Sequence, residues 1–523
     1  MPEPDLVSAQ IDQLATLVEE AARAARKAVP RFVEPAKGTL RRACSRRHHI
    51  VFGRRGSGKT SLLLKAAEDL SAAGSPTSYV DLEKFKGHQY PDVLISVLIA
   101  SLESFATALK ARPPDPAARQ ARPSIWRRLL RRTKTSAQMA PIAAIDGAVT
   151  ALREQLSLTD NAEITERKES SEDKSRGAAI DASIPIPGAP SIGATLESGT
   201  ARSRKVAMEE TARRSKIDFL LKNMLDYSRI VASIAETSGR DAYLFLDDLY
   251  HIRKSDQPQV LDYFHRLCKG SNAWLKVGTV RHRSAWYLPG DPPVGLSIGD
   301  DADEINLDLT LEQFATAKSF LLSILAAFIV DSGAPKASEM LAEGAADRLV
   351  LGSGGVARDF LGLFRRSVDR ARSRLAQDPE HYRGTRIGVE DVNLAIGDYG
   401  DNKLQEFSLD ALDDQDQLDA LFRAITGFCT EEANANCFLI DQASPNDKLA
   451  SLNELVDLRL VHLVRSHVTV SGRPGKLFKA YMLDVSLYTG ERKRRDLQLV
   501  EFWRRGSEEQ LRRTSLIYQL GQL

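Results

Sequence analysis

Residues 48–60 read HHIVFGRRGSGKT, and this stretch decides the fold. The apolar run 48–52 predicts a short buried strand, and Gly53-Arg54-Arg55-Gly56-Ser57-Gly58-Lys59-Thr60 then fits the pattern G-x-x-x-x-G-K-[ST]. In such a loop the glycines allow backbone N–H groups to turn inward around a triphosphate, and the following helix points its positive end at the phosphates. We therefore predict that residues Gly53 to Ser61 bind ATP. Lys59 is expected to reach the β- and γ-phosphates, and Thr60 to ligate Mg²⁺.

The competing explanation is a glycine-rich turn that matches the pattern by accident. Such a match should arise in roughly one chain in a hundred of this length. The strand before the motif and the helical pattern after it, from about Lys59 to Leu70, make an accident less probable still.

A second apolar run ends in two carboxylates. AYLFLDD, residues 242–248, predicts a buried strand that carries Asp247 and Asp248 to the carboxyl edge of a parallel sheet, where ligands bind in open α/β folds. We expect Asp247 to hold Mg²⁺, directly or through water, and Asp248 to orient or deprotonate the attacking water. The alternative is a solvated turn after a buried strand.

Strand-like and helical patterns alternate through the first 310 residues. Strands are predicted at 48–52, 78–82, 242–248, 273–280 and 304–307, which indicates a parallel sheet with helices on both faces. Helical patterns follow, and then two β-type runs joined by SGRPG indicate a winged helix-turn-helix. The predicted fold class is α/β: a P-loop sheet flanked by helices, then an α-helical lid, then a C-terminal winged helix. The predicted units are an N-terminal helix (1–30), the P-loop core (31–307, with an insertion at about 112–212), the lid (308–400), the winged helix (401–490) and a C-terminal helix (491–523).

The composition excludes several classes of protein. The chain has 523 residues, 43% of them apolar, and a formal net charge of only +2, so it is neither a disordered chain nor a polycation. Its four cysteines lack metal-binding spacing, which suits reduced thiols in a cytosol. The sequence shows no unbroken apolar run of 18 residues and no secretory signal at its start, so we expect a cytoplasmic protein without a transmembrane segment.

The insertion differs from the rest in composition. RPSIWRRLLRRTK, residues 122–134, places basic pairs around Trp126, and no aromatic residue occurs from Arg127 to Asp218. The basic stretch is a candidate for binding nucleic acid or an anionic membrane surface, and a solvated linker is the alternative.

The order of these motifs resembles that of the origin-recognition-complex-type AAA+ ATPases and of the related STAND signalling ATPases, over about residues 30–490 without the insertion. The resemblance implies a sensor 1 residue at the tip of the fourth strand, where Arg281 stands. It also implies a sensor 2 arginine in the lid, where Gly354-Gly355-Val356-Ala357-Arg358 supplies Arg358. AAA+ members usually carry Asp-Glu after the apolar strand, so the Asp247-Asp248 pair implies slow hydrolysis. His282 and Arg283 are weaker candidates for an arginine-finger role toward a second subunit.

The winged helix gives mixed signals about DNA. Its recognition helix, predicted at 449–458, carries Glu454 and Asp457 and no basic residue, which is unfavourable for contact with phosphates. The hairpin is richer in positive charge, with Arg465, His467, Arg473, Lys476 and Lys479. The leading hypothesis is an ATP-binding, slowly hydrolysing switch ATPase that acts on double-stranded DNA or a DNA-associated partner, as a homo-oligomer or with a partner protein. The alternatives are a STAND-type signalling or defence ATPase that oligomerises on a trigger without binding DNA, and a nucleotide-binding scaffold that does not hydrolyse.

Overall fold

The computed structural model describes residues 5–21, 31–111, 140–157, 210–377, 384–410, 415–489, 497–504 and 506–520. The basic stretch 122–134 and most of the predicted insertion lie outside these residues. So does the stretch ERKRR, residues 491–495.

Five parallel strands form the central sheet in the order β2-β3-β4-β1-β7. The chain builds β1 (His49–Phe52), β2 (Thr77–Asp81), β3 (Ala242–Asp247), β4 (Ala273–Thr279), the short hairpin strands β5 (Tyr287–Leu288) and β6 (Val294–Gly295), and β7 (Asp303–Asn306). Each of the five sheet strands lies within one residue of its predicted position. The predicted α/β P-loop fold is confirmed. Because β4 lies between β1 and β3, the P-loop and the Asp247-Asp248 pair emerge two strands apart at the same edge.

Helices cover both faces of this sheet, as predicted. They are α1 (Ala9–Glu20), α2 (Thr39–Ala43), α3 (Lys59–Ala72), α4 (Asp92–Lys110), α5 (140–157), α6 (210–222), α7 (Met224–Ser238) and α8 (Gln257–Cys268). Alternation along β3 decides which face each helix covers. Tyr243 and Phe245 pack with α2 and α3, whereas Leu244 and Leu246 pack with α4, α5, α7 and α8.

Part of the predicted insertion belongs to this core. Ile145, Val149 and Leu152 of α5 are buried in the same apolar cluster as α4 and α7. Arg153 of α5 pairs with Glu103 of α4 at 2.5 Å. The sequence did not predict this helix, since its apolar residues stand within a stretch that is otherwise charged or rich in small residues.

Helices alone form the lid, and a mixed unit follows it. The lid consists of α9 (Phe314–Ser332), α10 (Ala337–Met340), α11 (Ala345–Ser353), α12 (Ala357–Gln377) and α13 (Val389–Asp410). The C-terminal unit consists of α14 (Gln415–Gly427), β8 (Cys437–Asp441), α15 (Asn446–Asp457), β9 (Val461–Val468), β10 (Phe478–Leu483) and α16 (Glu508–Leu511). Its antiparallel sheet has the order β8-β10-β9, with α15 leading into the β9–β10 hairpin, which is the arrangement of a winged helix.

Two features of the C-terminal unit differ from the sequence prediction. Strand β8 was not predicted, because CFLID is a short apolar run whose periodicity does not distinguish a strand from a buried helical segment. The predicted C-terminal helix over 491–523 is not continuous: the described part holds α16, of four residues, and a 3-10 turn at Thr514–Leu516. This segment instead packs against the small sheet, where Val500, Phe502 and Leu516 are buried.

One continuous apolar core joins α1, the lid and the C-terminal unit. Ile11, Leu14 and Val18 bury one face of α1 against α9 and α12. Arg372 of α12 fixes this helix further, since it donates to the Leu6 carbonyl at 2.6 Å and to Asp12 at 2.8 Å. The boundaries of the predicted units are not decided by this packing and stay predictions.

Two buried ion pairs connect the lid to the winged helix. Arg459 Nη1 donates to both carboxylate oxygens of Asp359 on α12, at 2.7 and 2.8 Å, and the Tyr399 hydroxyl adds a third hydrogen bond at 2.8 Å. Lys403 of α13 donates to Asp484 at 2.7 Å, and His462 Nε2 lies 2.8 Å from the same carboxylate oxygen. These carboxylates are completely buried, so each depends on its partners to offset the cost of desolvation.

Two helices of the described chain are long and apolar enough to cross a membrane by length and composition. They are α4 and the stretch 311–332, which contains α9. In the folded chain α4 packs in the core beneath the sheet, and α9 packs on α1, α11 and α12. The apolar window of α4 is 61% buried in the folded chain, whereas that of residues 311–332 is 28% buried.

The buried Asp359–Arg459 pair predicts a large loss of stability when one partner is removed. Arg459→Met should lower the free energy of unfolding by about 3 kcal/mol, because it leaves the Asp359 charge buried with only the Tyr399 hydroxyl. Urea denaturation measures this change. The matched control is Arg423→Met, which breaks an exposed pair with Asp419 and should cost less than about 0.5 kcal/mol. Equal effects of the two substitutions would contradict the assignment.

Candidate functional site

The P-loop connects β1 to α3 through a backbone that only glycine adopts easily. Gly56 and Gly58 have φ of 84° and 97°, in the left-handed region. A Cβ on Gly56 would also lie 2.7 Å from the Cβ of Arg358, so the lid approaches the loop backbone directly. The predicted phosphate-binding loop therefore has the expected turn geometry and lies against the lid.

Lys59 begins α3 and is almost fully buried. Its Nζ donates to the carbonyls of Gly53 at 2.8 Å and Arg54 at 3.2 Å, so the ammonium lies inside the loop that it follows. Burial lowers the pKa of Lys59, and the nearby carboxylates of Asp248 and Asp247 oppose that shift. The next residue, Thr60, donates its hydroxyl to Asp247.

Asp247 ends β3 and is 1% exposed. The Tyr79 hydroxyl on β2 donates to its Oδ2 at 2.6 Å, and the Asp248 amide donates to its Oδ1 at 2.9 Å. Burial raises the pKa of Asp247, and the hydrogen bonds from Tyr79 and Thr60 lower it. Gly278 of β4 makes room for this carboxylate, since a Cβ there would lie 2.3 Å from Oδ1.

Asp248 follows with φ of 57°, an uncommon conformation for a residue with a side chain. Burial, and then the neighbouring charge of Asp247, raise the pKa of Asp248 from 3.8 to about 7. A carboxyl group with such a pKa exchanges its proton near neutrality, which suits a group that accepts a proton from water.

All these groups line one cleft of about 910 Å³. Its polar end holds the P-loop residues 55–61, Asp247, Asp248 and the lid residue Arg358. A group of apolar residues also lines the cleft, together with Arg31 beside Phe328, and the sequence analysis did not identify it. We refer to these apolar residues as the apolar end of the cleft: Ala21, Phe32, Val33, Pro35, Phe320, Ile324, Phe328 and Leu361.

Two further parts of the cleft wall were missed. Tyr79, Asp81 and Glu83 enter it from the end of β2, and Tyr250 and His251 enter it after β3. The pairing of β2 with β3 brings these groups together, with Asp81 opposite Asp247. Strand SYVDL was predicted, but its partner in the sheet was not, so no pattern in the sequence indicated that Tyr79 faces Asp247.

Arg54 has a role that the motif did not predict. It is 4% exposed, and its backbone N–H and Nε donate to Asp308 Oδ1 at 2.7 and 3.3 Å. Its Nη2 donates to the carbonyls of Leu309 and Gly354, both at 3.0 Å. The side chain of this P-loop residue therefore points away from the cleft. It joins the P-loop to the lid and to the linker, by which we mean residues 308–311 between β7 and the lid.

Arg358 and Arg281, predicted as sensors, lie in different places. Arg358 lines the cleft, and its backbone N–H donates to the Gly56 carbonyl at 3.2 Å. Arg281 does not line it: its guanidinium lies 3.9 Å from the centre of the Phe52 ring and pairs with Glu304 of β7. The structure thus brings Arg358 to the predicted phosphate end and leaves Arg281 outside it.

The two residues after Arg281 contact the segment that follows β3 and the winged helix. Arg283 lies 6.0 Å from the ring of Tyr250. The His282 carbonyl accepts from Lys254 at 3.1 Å, and its backbone N–H donates to Asp457 of α15. These contacts lie within the chain, so the arginine-finger hypothesis for His282 and Arg283 gains no support from them.

The predicted recognition helix packs on the P-loop core. α15 contacts the 3-10 turn Arg281–Arg283, and from Ser451 to Asp457 none of its residues is exposed. Burial, with the nearby Asp308 charge, raises the pKa of Asp457 from 3.8 to about 7, and its Oδ2 has no hydrogen-bond partner. The part of α15 from Ser451 to Asp457 faces protein here, which explains why it carries no basic residue; Lys448, in the first turn of the helix, precedes it.

Comparison with known proteins gives little beyond these observations. No family model and no curated protein matches the chain. Among solved structures, it is similar to Cdc6p from Pyrobaculum aerophilum, with 13% identity, a TM-score of 0.31 and coverage of 83% of this chain and 84% of that one. It is also similar to the Orc1 protein of Aeropyrum pernix, solved in complex with DNA, with 15% identity, a TM-score of 0.31 and coverage of 92% and 90%. At these values the two structures carry no inference about substrate or partner.

Asp457 predicts a pH-dependent stability. A raised native pKa means that the folded chain binds this proton more tightly than the unfolded chain, so stability falls as the pH rises from about 4 to about 7. Asp457→Asn removes the ionisation and should make the protein about 1–2 kcal/mol more stable than wild type at pH 8, with a smaller difference at pH 5. Thermal unfolding at both pH values measures this difference.

Asp441 is the matched control, since hydrogen bonds from Lys476 and the Ala443 amide lower its pKa. Asp441→Asn should bring no stabilisation at pH 8. If Asp457→Asn behaves in the same way, the buried carboxylate at this junction has been misassigned.

Proposed function

We propose that the protein is an ATP-binding, slowly hydrolysing switch ATPase whose lid and winged helix respond to the nucleotide. The observation that carries the proposal is the convergence of Lys59, Thr60, Asp247, Asp248 and Arg358 on one cleft. They come from the P-loop, the end of β3 and the start of α12, three parts of the chain that only the fold brings together.

The two ends of the cleft suit the two ends of a nucleoside triphosphate. The polar end offers the backbone N–H groups of the P-loop, the Lys59 ammonium and the Arg358 guanidinium to phosphates. The apolar end offers Phe32, Phe320 and Phe328 to a planar base.

The residues at the polar end fit Mg²⁺. The Thr60 hydroxyl and the Asp247 carboxylate are hydrogen-bonded to each other, and such oxygen groups are the ligands that this hard cation prefers. When bound, the ion would neutralise charge that develops on the transferred phosphoryl group. Asp248 would position the attacking water and accept its proton. Arg358 would bind the γ-phosphate, so that the position of the lid would depend on whether that phosphate is present.

The first test concerns Lys59. Lys59→Ala removes the charge that meets the β- and γ-phosphates, so the affinity for ATP should fall about tenfold or more, or about 1.4 kcal/mol. A titration with a fluorescent ATP analogue measures the affinity. The matched control is Lys65→Ala on the same helix, whose ammonium pairs with Asp69 and Glu68 at its surface and which should bind normally. Unchanged affinity in Lys59→Ala would refute the proposal.

The same assay separates binding from turnover. Asp248→Asn should bind ATP like wild type and lose most hydrolysis, because only the group that accepts the proton from water is changed. Phosphate release measures hydrolysis. If the variant hydrolyses ATP at the wild-type rate, another group activates the water.

Two clients are compatible with such a switch. Action on DNA is supported by the exposed β9–β10 turn, which presents Arg473 and Lys476, although Lys476 is partly neutralised by Asp441 at 2.7 Å. A STAND-type signalling ATPase is favoured by another observation: α15 is packed on the core and is not available to a major groove in this conformation. In both cases release of the winged helix would be the event that the nucleotide controls.

Charge reversal in the wing distinguishes these two functions. If the wing binds phosphates, the Arg473→Glu, Lys476→Glu double variant should bind every DNA sequence more weakly, and the slope of log affinity against log salt should decrease by about 0.9 per lost phosphate contact. Fluorescence anisotropy with two unrelated duplexes measures both effects. The control is Arg214→Glu, Arg229→Glu, an equal charge change at exposed side chains of α6 and α7, far along the chain from the wing. No DNA binding by wild type at low salt would leave the signalling function as the better proposal.

A further inference from the structure

Tyr79 lies beside the metal end of the cleft and belongs to none of the motifs. It stands on β2 opposite Phe245 of β3, and the two rings stack with their centres 6.3 Å apart. Asp247 is two residues beyond Phe245, so its side chain leaves the same face of the sheet. This register places the Tyr79 hydroxyl 2.6 Å from Asp247 Oδ2.

This hydrogen bond is one of three that the Asp247 carboxylate accepts from the residues that the structure describes. Oδ1 accepts the Asp248 amide at 2.9 Å, Oδ2 accepts the Tyr79 hydroxyl, and the Thr60 hydroxyl also donates to Asp247. Gly278 on the β4 side leaves the space that Oδ1 occupies, since a Cβ there would lie 2.3 Å from it. The hydrogen bonds therefore restrain the orientation of the carboxylate, which is how groups beyond the direct ligands orient a metal-binding carboxylate.

We propose that Tyr79 is a positioning residue for the metal site, whose hydroxyl holds the Asp247 carboxylate in the orientation that faces Thr60. The inference rests on the proposed function, because it assigns Asp247 and Thr60 to Mg²⁺. The proposed role of Tyr79 concerns metal binding alone, and it leaves the contribution of the P-loop to nucleotide affinity unchanged.

Tyr79→Phe tests the proposal with a minimal change. The substitution keeps the stacked ring and removes one hydroxyl. We expect ATP affinity without metal to equal that of wild type, and the Mg²⁺ concentration for half-maximal enhancement of ATP binding to rise about tenfold, since a hydrogen bond to a charged group is lost. Titration of Mg²⁺ against a fluorescent ATP analogue gives both values.

A matched control and a double variant separate positioning from packing. Tyr263→Phe removes another buried hydroxyl of the same domain, which donates to the Leu220 carbonyl at 3.0 Å, and it should leave the Mg²⁺ titration unchanged. In an Asp247→Asn background, Tyr79→Phe should have no further effect on Mg²⁺ dependence, because Tyr79 acts through that carboxylate.

Each result decides a different question. If Tyr79→Phe has the wild-type Mg²⁺ dependence, or weakens ATP binding equally with and without metal, the positioning role is wrong. If instead Lys59→Ala and wild type bind ATP alike, the proposed function fails and this inference fails with it. Only a shifted Mg²⁺ titration with unchanged metal-free binding supports it.

Discussion

The position of the P-loop relative to the linker and the lid depends on the buried guanidinium of Arg54. Arg54 stands at a position for which the P-loop pattern specifies no residue type. It nevertheless bonds to the linker through Asp308 and Leu309 and to the lid through Gly354. An arginine in this environment must satisfy its donors or incur a large cost of desolvation. The P-loop, the linker and the lid are therefore joined by the hydrogen bonds of a single side chain. A change in the geometry of the P-loop would alter its contacts with the lid directly.

The lid in turn is bonded to the winged helix more firmly than either is to the core. The Asp359–Arg459 and Lys403–Asp484 pairs are buried inside one apolar cluster, whereas the contacts to the core include α15, Arg54, the backbone of Arg358 and the partly exposed Arg31–Asp331 pair. Buried charge pairs do not separate cheaply. Lid and winged helix are thus best regarded as one body, and a nucleotide-driven motion would occur at residues 308–311.

Local patterns in the sequence predicted a large part of this molecule, and long-range contacts account for what they missed. The P-loop, β3 and the glycine-rich start of α12 each have a signature within about ten residues, so their positions and the cleft residues Lys59, Asp247 and Arg358 were identifiable. Tyr79 and the apolar end of the cleft have no such signature, because strand register and lid packing place them. Arg281 was assigned from its position after β4, and the ring of Phe52 and the Glu304 carboxylate hold it elsewhere.

The packing of α1 has a consequence for how the chain is made. This helix lies near the beginning of the sequence, and its apolar face is covered by α9 and α12, which follow about 300 residues later. At a synthesis rate of roughly 5–20 residues per second, α1 leaves the ribosome about 15–60 s before its partners exist. Ile11, Leu14 and Val18 lack their partners during that interval, and the P-loop sheet is completed only near its end, because β1 pairs with β4 and β7. The nascent chain must therefore keep an unpaired amphipathic helix soluble until the lid emerges, and this part of the molecule is where we would look for chaperone contact during synthesis.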